Sequence, residues 1–159
     1  MFIKPNFNLE SIYDIDIMEL KSIGIKALFF DLDSTLMKSK SGKFSFQTAQ
    51  FLNDLKTNFI LAIISNNSNM EYIKKAQSQT DIPIYSKAKK PNTRILLKAC
   101  RELGLTPEEV AMVGDRPLSD ILGGQKANMT TILVDSISKN EENFIVRFAR
   151  FCERLTIAR

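Results

Sequence analysis

Carboxylates, a hydroxyl and a lysine each follow a short apolar run of the sequence, where a buried strand would end. Residues two apart on a strand face the same side, so Asp31 and Asp33 would point into one space. Asp115 follows another such run and Asp120 lies one helical turn later, so up to four carboxylates converge if the two strands are neighbours. Like charges in a partly dry cleft do not all ionise without a partner. A hard divalent cation with oxygen ligands, Mg²⁺, fits that need, with Asp31 and Asp115 as side-chain ligands.

A carboxylate at such a site can also attack phosphorus, which gives an aspartyl-phosphate intermediate. Asp31 is the first candidate for this nucleophile, and Asp33 would protonate the leaving oxygen and later activate water. Ser65 would hydrogen-bond the transferring phosphoryl group, and Lys90 would neutralise its developing charge. Thr35 and the backbone amides after Asp31 would help to cradle the group. These residue types predict a phosphoryl-transfer site that works without histidine.

Each of these motifs has a simpler interpretation when it is taken alone. The Asp31-Leu-Asp33 pair is most often a turn or a helix cap, and the segment 65–67 is most often only a loop. The lysines at 87, 89 and 90 would then be a solvated charge run, and Gly114-Asp115 a turn. The common order, in which all four motifs follow apolar runs, favours a shared site.

Composition excludes several other classes of protein. The chain has 159 residues, 44% apolar and 25% charged, with a net charge of +4, as expected for one folded domain over residues 1–159. It contains no histidine, which excludes histidine catalysis and histidine metal sites. Cys100 and Cys152 form no CxxC pair, which argues for a reducing compartment. The longest strictly apolar run, Phe59–Ile64, is too short to span a membrane, and the N-terminal residues lack a signal-peptide core, so we expect a cytoplasmic protein.

Strand and helix patterns alternate along the chain. Short apolar runs without polar alternation are typical of strands buried on both faces of a parallel sheet. The runs are Ala27–Phe30, Ile60–Ile64, Ile82–Tyr85, Val110–Val113 and Thr131–Val134, with helices expected at about 45–57, 69–78, 92–103 and 119–127. The alternation predicts an α/β, doubly wound sheet of five parallel strands in a core of about residues 16–135. Active sites of such sheets form at the carboxyl ends of strands, near the switch in strand order.

Four motifs in this order resemble those of the haloacid dehalogenase superfamily of phosphohydrolases. They are Phe30-Asp-Leu-Asp-Ser-Thr-Leu36, Ile64-Ser-Asn-Asn67, Lys90-Pro91 and Val113-Gly-Asp-Arg-Pro-Leu-Ser-Asp120, within residues 26–134. The resemblance implies a Rossmann-like fold in which the strands that end at Asp31 and Asp115 lie side by side. Two positions depart from the usual pattern, with Ser34 where Asn is common and Arg116 where Gln is common.

The resemblance also implies a role for each matching position. It makes Asp31 the nucleophile and Asp33 the acid and base. The implied phosphate-binding residues are Thr35, Ser65, Asn66 and Lys90. The implied ligands of Mg²⁺ are Asp31, the Asp33 carbonyl and Asp115, with Asp120 in support.

The spacing of the motifs leaves no room for a cap domain. Only 33 residues separate Asp31 from Ser65 and 24 separate Ser65 from Lys90, and both intervals must hold core elements. An open cleft suits a bulky substrate such as a lipid head group, a polymer end or a phosphoprotein, because a lid normally excludes water around small ones.

Segments at 11–16, 20–26, 120–124 and 130–134 resemble a capless bacterial and organellar group that includes phosphatidylglycerophosphate phosphatases. This resemblance implies phosphatidylglycerophosphate as the substrate. The alternatives are the same chemistry on a nucleic-acid end or a small metabolite, and a non-enzymatic binding module. Nucleic acid is the weaker of these partners, since no aromatic stacking platform is evident.

A C-terminal helix is expected at about 140–156. Its apolar side would carry Phe144, Ile145, Phe148, Phe151, Cys152 and Leu155, and its basic flank Arg147, Arg150 and Arg154. A basic amphipathic helix can lie on an anionic membrane, here at the inner face. The alternative is a helix that packs its apolar side on the sheet and leaves a solvated basic edge.

Overall fold

The computed structural model describes residues 3–157. Its sheet has six parallel strands in the order β1-β6-β5-β2-β3-β4. The strands are β1 (Phe7–Asn8), β2 (Ala27–Phe30), β3 (Ile60–Ile64), β4 (Ile84–Tyr85), β5 (Val110–Gly114) and β6 (Thr130–Leu133). The order reverses between β2 and β5, so the sheet is doubly wound, as predicted.

The expected number of five strands is wrong, because β1 adds a sixth at the edge beside β6. This strand has only two residues, too few for an apolar run. Side-chain contacts hold the segment before it in place: Asn6 accepts a hydrogen bond from the amide of Thr131 at 2.9 Å, and the amide of Asn6 donates to Thr131 Oγ1 at 3.2 Å. Such pairing leaves no periodic signal in the sequence.

Six α-helices lie between and after the strands within residues 3–157, and the last five fall inside the expected ranges. They are α1 (Ile17–Ser22), α2 (Phe46–Leu55), α3 (Met70–Gln77), α4 (Arg94–Leu103), α5 (Leu122–Lys126) and α6 (Phe144–Arg154). Side-chain caps start several of them: Asp16 accepts from the amide of Glu19, and Ser45 from the amide of Thr48. Gly104 ends α4 with a φ of 70°, the left-handed conformation that glycine adopts without strain.

Alternate residues of the strands pack into two apolar layers, one on each face of the sheet. Leu28 and Phe30 of β2 pack with residues of α1, α2 and α3 on one face, whereas Phe29 packs with α4 on the other. These three side chains are completely buried. Full burial of each contributes about 1.5–3 kcal/mol. The layers hold the central strands rigidly, and with them the loops at their carboxyl ends.

The C-terminal helix α6 has an unusual orientation. The apolar side chains predicted on one of its sides point to solvent, with Phe144 79% and Ile145 77% exposed. Glu153, on the opposite side, is buried. The alternative in which the apolar side packs on the sheet is therefore wrong. No helix within residues 3–157 is long and apolar enough to cross a membrane.

Candidate active site

The switch in strand order brings the two main acidic motifs together. β2 and β5 are neighbours, and Phe30 pairs with Val113 in their register. The amide of Asp31 donates to the carbonyl of Val113 at 2.9 Å, which places the first carboxylate beside the end of β5. Asp115 follows that end directly. The two aspartates thus meet in the crevice where doubly wound sheets bind their ligands.

Three carboxylates and one lysine form the centre of this crevice. Carboxylate oxygens of Asp31, Asp115 and Asp120 all lie within 4.8 Å of one another. Lys90 Nζ is 2.8 Å from Asp31 Oδ1 and 2.8 Å from Asp120 Oδ1, and it donates to the carbonyl of Ile64 at 2.6 Å. A buried ammonium is costly unless it is paired, and these three contacts supply its partners.

Burial and charge together shift the pKa values of the cluster. Burial raises the pKa of Asp31 to about 8 against the opposing effect of Lys90, and Asp120 and Asp115 add to the rise. Burial and Asp120 raise the pKa of Asp115 to about 6, although Arg150 lowers it. Burial acts to lower the pKa of Lys90, but Asp120 and Asp31 raise it above its usual value. The raised pKa values of Asp31 and Asp115 show that the carboxyl groups of the cluster resist full ionisation together, even beside Lys90 and Arg150.

Asp120 gives the clearest sign that the cluster suits a cation. Its buried Oδ1 has no hydrogen bond, because the contact with Lys90 is an ion pair without hydrogen-bond geometry. Its Oδ2 accepts from the amide of Arg116 at 3.1 Å. A Cβ on Gly114 would lie 2.2 Å from that Oδ2, so only glycine leaves room for this carboxylate. A buried oxygen that accepts no hydrogen bond, among three carboxylates, fits a hard divalent cation such as Mg²⁺.

Asp33 lines the same crevice but lies outside the cluster of three carboxylates. Its Oδ1 accepts a hydrogen bond from the hydroxyl of Tyr72, on α3. Burial, with the added effect of Asp33, holds the pKa of Tyr72 above its usual range. The phenol therefore stays neutral and orients the Asp33 carboxylate. No motif of the sequence marks Tyr72, because it reaches Asp33 only when α3 packs beside the sheet.

Two predicted phosphate-binding hydroxyls lie against the cluster. Thr35 Oγ1 donates to Asp115 Oδ1 at 3.1 Å and lies 3.4 Å from Asp31 Oδ2, so in this structure it holds the carboxylates. Ser65 is buried, and its Oγ accepts from the amide of Asn67 at 3.1 Å. The hydroxyl hydrogen of Ser65 is then available to a substrate oxygen.

Asn66 braces the loop that carries the lysine. Its Oδ1 accepts from the amide of Lys90 at 2.7 Å, and its Nδ2 donates to the carbonyl of the same residue at 3.2 Å. Nδ2 also lies 3.3 Å from Ser119 Oγ, in the segment that leads to Asp120. Asn66 thus joins the third and fourth motifs, and this contact with the backbone of Lys90 fixes the position of the ammonium.

The C-terminal helix supplies charged groups to the crevice that sequence reasoning missed. Arg150 Nη1 contacts Asp115 Oδ2, and Arg150 Nε donates to Glu142 at 2.8 Å. Arg116 pairs with Glu153 of the same helix. The expectation of a solvated flank is therefore wrong for Arg150, whose buried acidic partners turn it inward. The only signal in the sequence is the pattern of basic residues, which does not say which way they face.

A cavity of about 560 Å³ opens at the cluster. Its lining includes Asp31, Asp33, Ser65, Arg116, Asn143 and Arg150. The first turns of α6 thus form part of its wall, and the described residues contain no cap domain. The arrangement combines a buried carboxylate beside a fixed ammonium with a second carboxylate in the same cavity, and these residue types are suited to phosphoryl transfer.

Known proteins resemble this chain over most of its length. It is 30% identical over 153 residues to the probable phosphatase YqeG of Bacillus subtilis (strain 168). This alignment covers 96% of this chain and 88% of that protein. It is 29% identical over 167 residues to phosphatidylglycerophosphate phosphatase 1, chloroplastic/mitochondrial, of Arabidopsis thaliana. This alignment covers 99% of this chain and 48% of that longer protein.

A family model and solved structures agree with these relatives. The family described as HAD-hydrolase-like matches residues 87–153. A crystal structure of a HAD phosphatase from Thermococcus onnurineus aligns with a TM-score of 0.59 at 17% identity, over 75% of this chain and 89% of that one. An uncharacterised protein from Listeria monocytogenes serotype 4b aligns with a TM-score of 0.59 at 17% identity, over 79% of this chain and 99% of that one. These structures show a shared fold.

Proposed function

The chain belongs to the haloacid dehalogenase superfamily of phosphatases, and on that premise we propose that residues 1–159 act as one Mg²⁺-dependent phosphatase domain that works through an aspartyl-phosphate on Asp31. One observation carries this proposal. Asp31 stands at the switch point of the sheet, with Lys90 Nζ 2.8 Å from one of its oxygens and two further carboxylates beside it. No other place in residues 3–157 gathers a nucleophile, a buried ammonium and a cluster able to hold a cation.

The donor set of the cluster suits Mg²⁺. Asp31, Asp115 and the main-chain carbonyl of Asp33 would hold the ion, with Asp120 in support. When bound, Mg²⁺ would polarise the phosphoryl oxygens and offset the negative charge of the carboxylates.

The proposed reaction consists of two displacements at phosphorus, and residues of the chain take part in both. In the first, an oxygen of Asp31 bonds to phosphorus, the ester P–O bond breaks, and Asp33 gives its proton to the leaving oxygen. In the second, Asp33 takes a proton from water as the water oxygen bonds to phosphorus, which releases phosphate and restores Asp31. Tyr72 keeps Asp33 oriented during both steps through its hydroxyl. Lys90 and Ser65 bind the oxygens of the group in transfer.

The substrate we propose is phosphatidylglycerophosphate, hydrolysed to phosphatidylglycerol and phosphate at the surface of an anionic membrane by a cytoplasmic enzyme. Its support is the 29% identity to a phosphatase with that substrate in its name, together with an uncapped cavity of about 560 Å³. An uncapped cavity accepts a head group whose acyl chains remain in a lipid phase. Other phosphomonoesters with the same reacting group are the alternatives.

A panel of substrates tests this function. Phosphate release is measured with phosphatidylglycerophosphate in mixed micelles, with 3′-phosphorylated oligonucleotides and with sugar phosphates. We expect the lipid to have the highest kcat/KM, and a higher value for either of the other classes would overturn the substrate assignment. Chelation should stop turnover and added Mg²⁺ restore it.

Two variants test the chemistry on the same panel. Asp31→Ala should abolish release, whereas Asp81→Ala, at an exposed carboxylate paired with Lys56, should turn over like the wild type. Acid quench with substrate labelled in the phosphoryl group should leave label on the wild-type protein and none on Asp31→Ala. Turnover by Asp31→Ala in the presence of Mg²⁺ would remove the proposed nucleophile.

A further inference from the structure

Helix α6 is amphipathic, but its polar side faces the protein. Arg150 contacts Asp115 and Glu142, and Arg154 lies 3.0 Å from Asp135 and donates to the carbonyl of Val134 at 2.9 Å. These contacts fix the rotation of the helix about its axis. A surface helix normally does the opposite and turns its apolar stripe to the core.

The opposite side of the helix is apolar and exposed. We name it the outer face of α6, and its residues are Phe144, Ile145, Phe148, Phe151 and Leu155. Their exposed fractions run from 56% for Phe148 to 79% for Phe144. The rings of Phe144 and Phe148 are stacked with centroids 6.2 Å apart. A contiguous apolar patch of this kind marks an interaction surface.

We propose that the outer face of α6 docks this protein on an anionic lipid bilayer. The first support is charge on both flanks of the helix. Arg147 and Lys139 are exposed beside Phe151 in one cavity, and Lys40 is exposed beside Val146 in the catalytic cavity. None of these three cations has an ion-pair partner among the described residues. An apolar stripe flanked by unpaired cations is complementary to anionic head groups over hydrocarbon.

The second support is continuity with the catalytic cavity. Asn143, Val146 and Arg150 of the helix and its cap form part of the wall of that cavity. A bilayer against the outer face would therefore place head groups beside the cavity. The choice of a lipid surface rests on the lipid substrate proposed above.

The apolar area of the outer face of α6 can be compared with that of a protein interface. A fully exposed aromatic side chain has about 150–250 Å² of surface, so the five side chains present about 600 Å² together. A standard protein interface buries roughly 800 Å² on each partner. Insertion into lipid has no such lower limit, and it accepts a narrow stripe one helix wide.

The test is vesicle co-sedimentation of the full chain without substrate or Mg²⁺. The vesicles are phosphatidylcholine alone or phosphatidylcholine with phosphatidylglycerol. The variant is Phe144→Glu/Phe148→Glu. The matched control is Met18→Glu/Phe46→Glu, which adds the same charge at side chains that are 76% and 84% exposed on α1 and α2. Urea midpoints of both variants check that they fold.

We expect the wild type to bind the anionic vesicles at least about tenfold more tightly than the neutral ones. The variant in α6 should bind the anionic vesicles at least about tenfold more weakly than the wild type, because two inserted rings become charged, whereas the control should stay within about twofold. Turnover of a soluble phosphomonoester should be the same in all three proteins, since neither Phe144 nor Phe148 lines the catalytic cavity.

Three results would overturn the docking surface. They are failure of the wild type to bind anionic vesicles, equal loss of binding in the control, and a dimer in sedimentation equilibrium that the α6 variant dissociates. The last would make a second copy the occupant. Vesicle binding without turnover of the lipid would refute the proposed substrate and leave the docking surface in place. Turnover of the lipid in micelles without vesicle binding would support the proposed substrate and refute the docking surface.

Discussion

Replacement of Asp31 by asparagine should stabilise the metal-free protein at neutral pH while it abolishes phosphatase activity. Burial raises the pKa of this carboxyl from 3.8 to about 8. At pH 7 the unfolded chain has an ionised Asp31, so folding must bind a proton. One pKa unit corresponds to about 1.36 kcal/mol, so this uptake costs about 4 kcal/mol at pH 7. Asparagine is neutral in both states and avoids the cost.

The sign of the pH dependence follows from the direction of the shift. The folded-state pKa of Asp31 lies above the unfolded value. The stability that the bound proton gives the wild type is therefore fully present below pH 4, and it is lost as the pH rises towards 8. The stability of the variant relative to the wild type should therefore grow by about 1.4 kcal/mol per pH unit between pH 5 and 7. A weaker hydrogen bond from Lys90 Nζ to residue 31 subtracts a roughly constant amount of about 1–3 kcal/mol from this gain.

The assay is urea unfolding in EDTA, followed by far-ultraviolet circular dichroism because the chain has no tryptophan. Asp81→Asn serves as the control, since Lys56 lowers the pKa of that exposed carboxyl and no change is expected between pH 5 and 7. Added Mg²⁺ should stabilise the wild type more than Asp31→Asn, because the variant lacks one anionic ligand. A stability difference that does not vary from pH 5 to 7, or that falls, would refute this account of the cluster.

Two substitutions in the site and one chemical probe of the cysteines test other features of the structure. Gly114→Ala should destabilise the protein by about 1–3 kcal/mol in urea and abolish phosphate release, because the new Cβ would lie 2.2 Å from Asp120 Oδ2; an unchanged urea midpoint would contradict the packing. Arg150→Gln should tighten Mg²⁺ binding about tenfold in titration calorimetry, because the guanidinium competes for Asp115, whereas Arg154→Gln should not change it. Cys152 is exposed and should react at once with a thiol reagent, whereas burial raises the pKa of Cys100 to about 11 and should delay its reaction until unfolding; two equal rates would be inconsistent with the structure.

The four motifs of the proposed site could be placed from the sequence because each follows an apolar run. Carboxyl ends of parallel strands meet along one edge of the sheet, so Asp31 and Asp115 converge once their strands are neighbours. The strand β1 could not be predicted, because it has only two residues and the contacts of Asn6 hold it in place. Such a short strand shows no hydrophobic periodicity in the sequence. Tyr72 was equally hidden, because its hydroxyl meets Asp33 across 39 positions of the chain.

The residue types and their order along the chain were enough to predict a phosphatase and the alternation of strands and helices, because these depend on local pattern and on the reactivity of each group. The same pattern marked an apolar side and a basic side on the C-terminal helix. Which side faces the protein was decided only by the folded chain, where Asp115 and Glu142 offer buried partners to Arg150. Hydrophobic periodicity is a property of one helix, whereas its orientation depends on charges brought together from distant parts of the sequence.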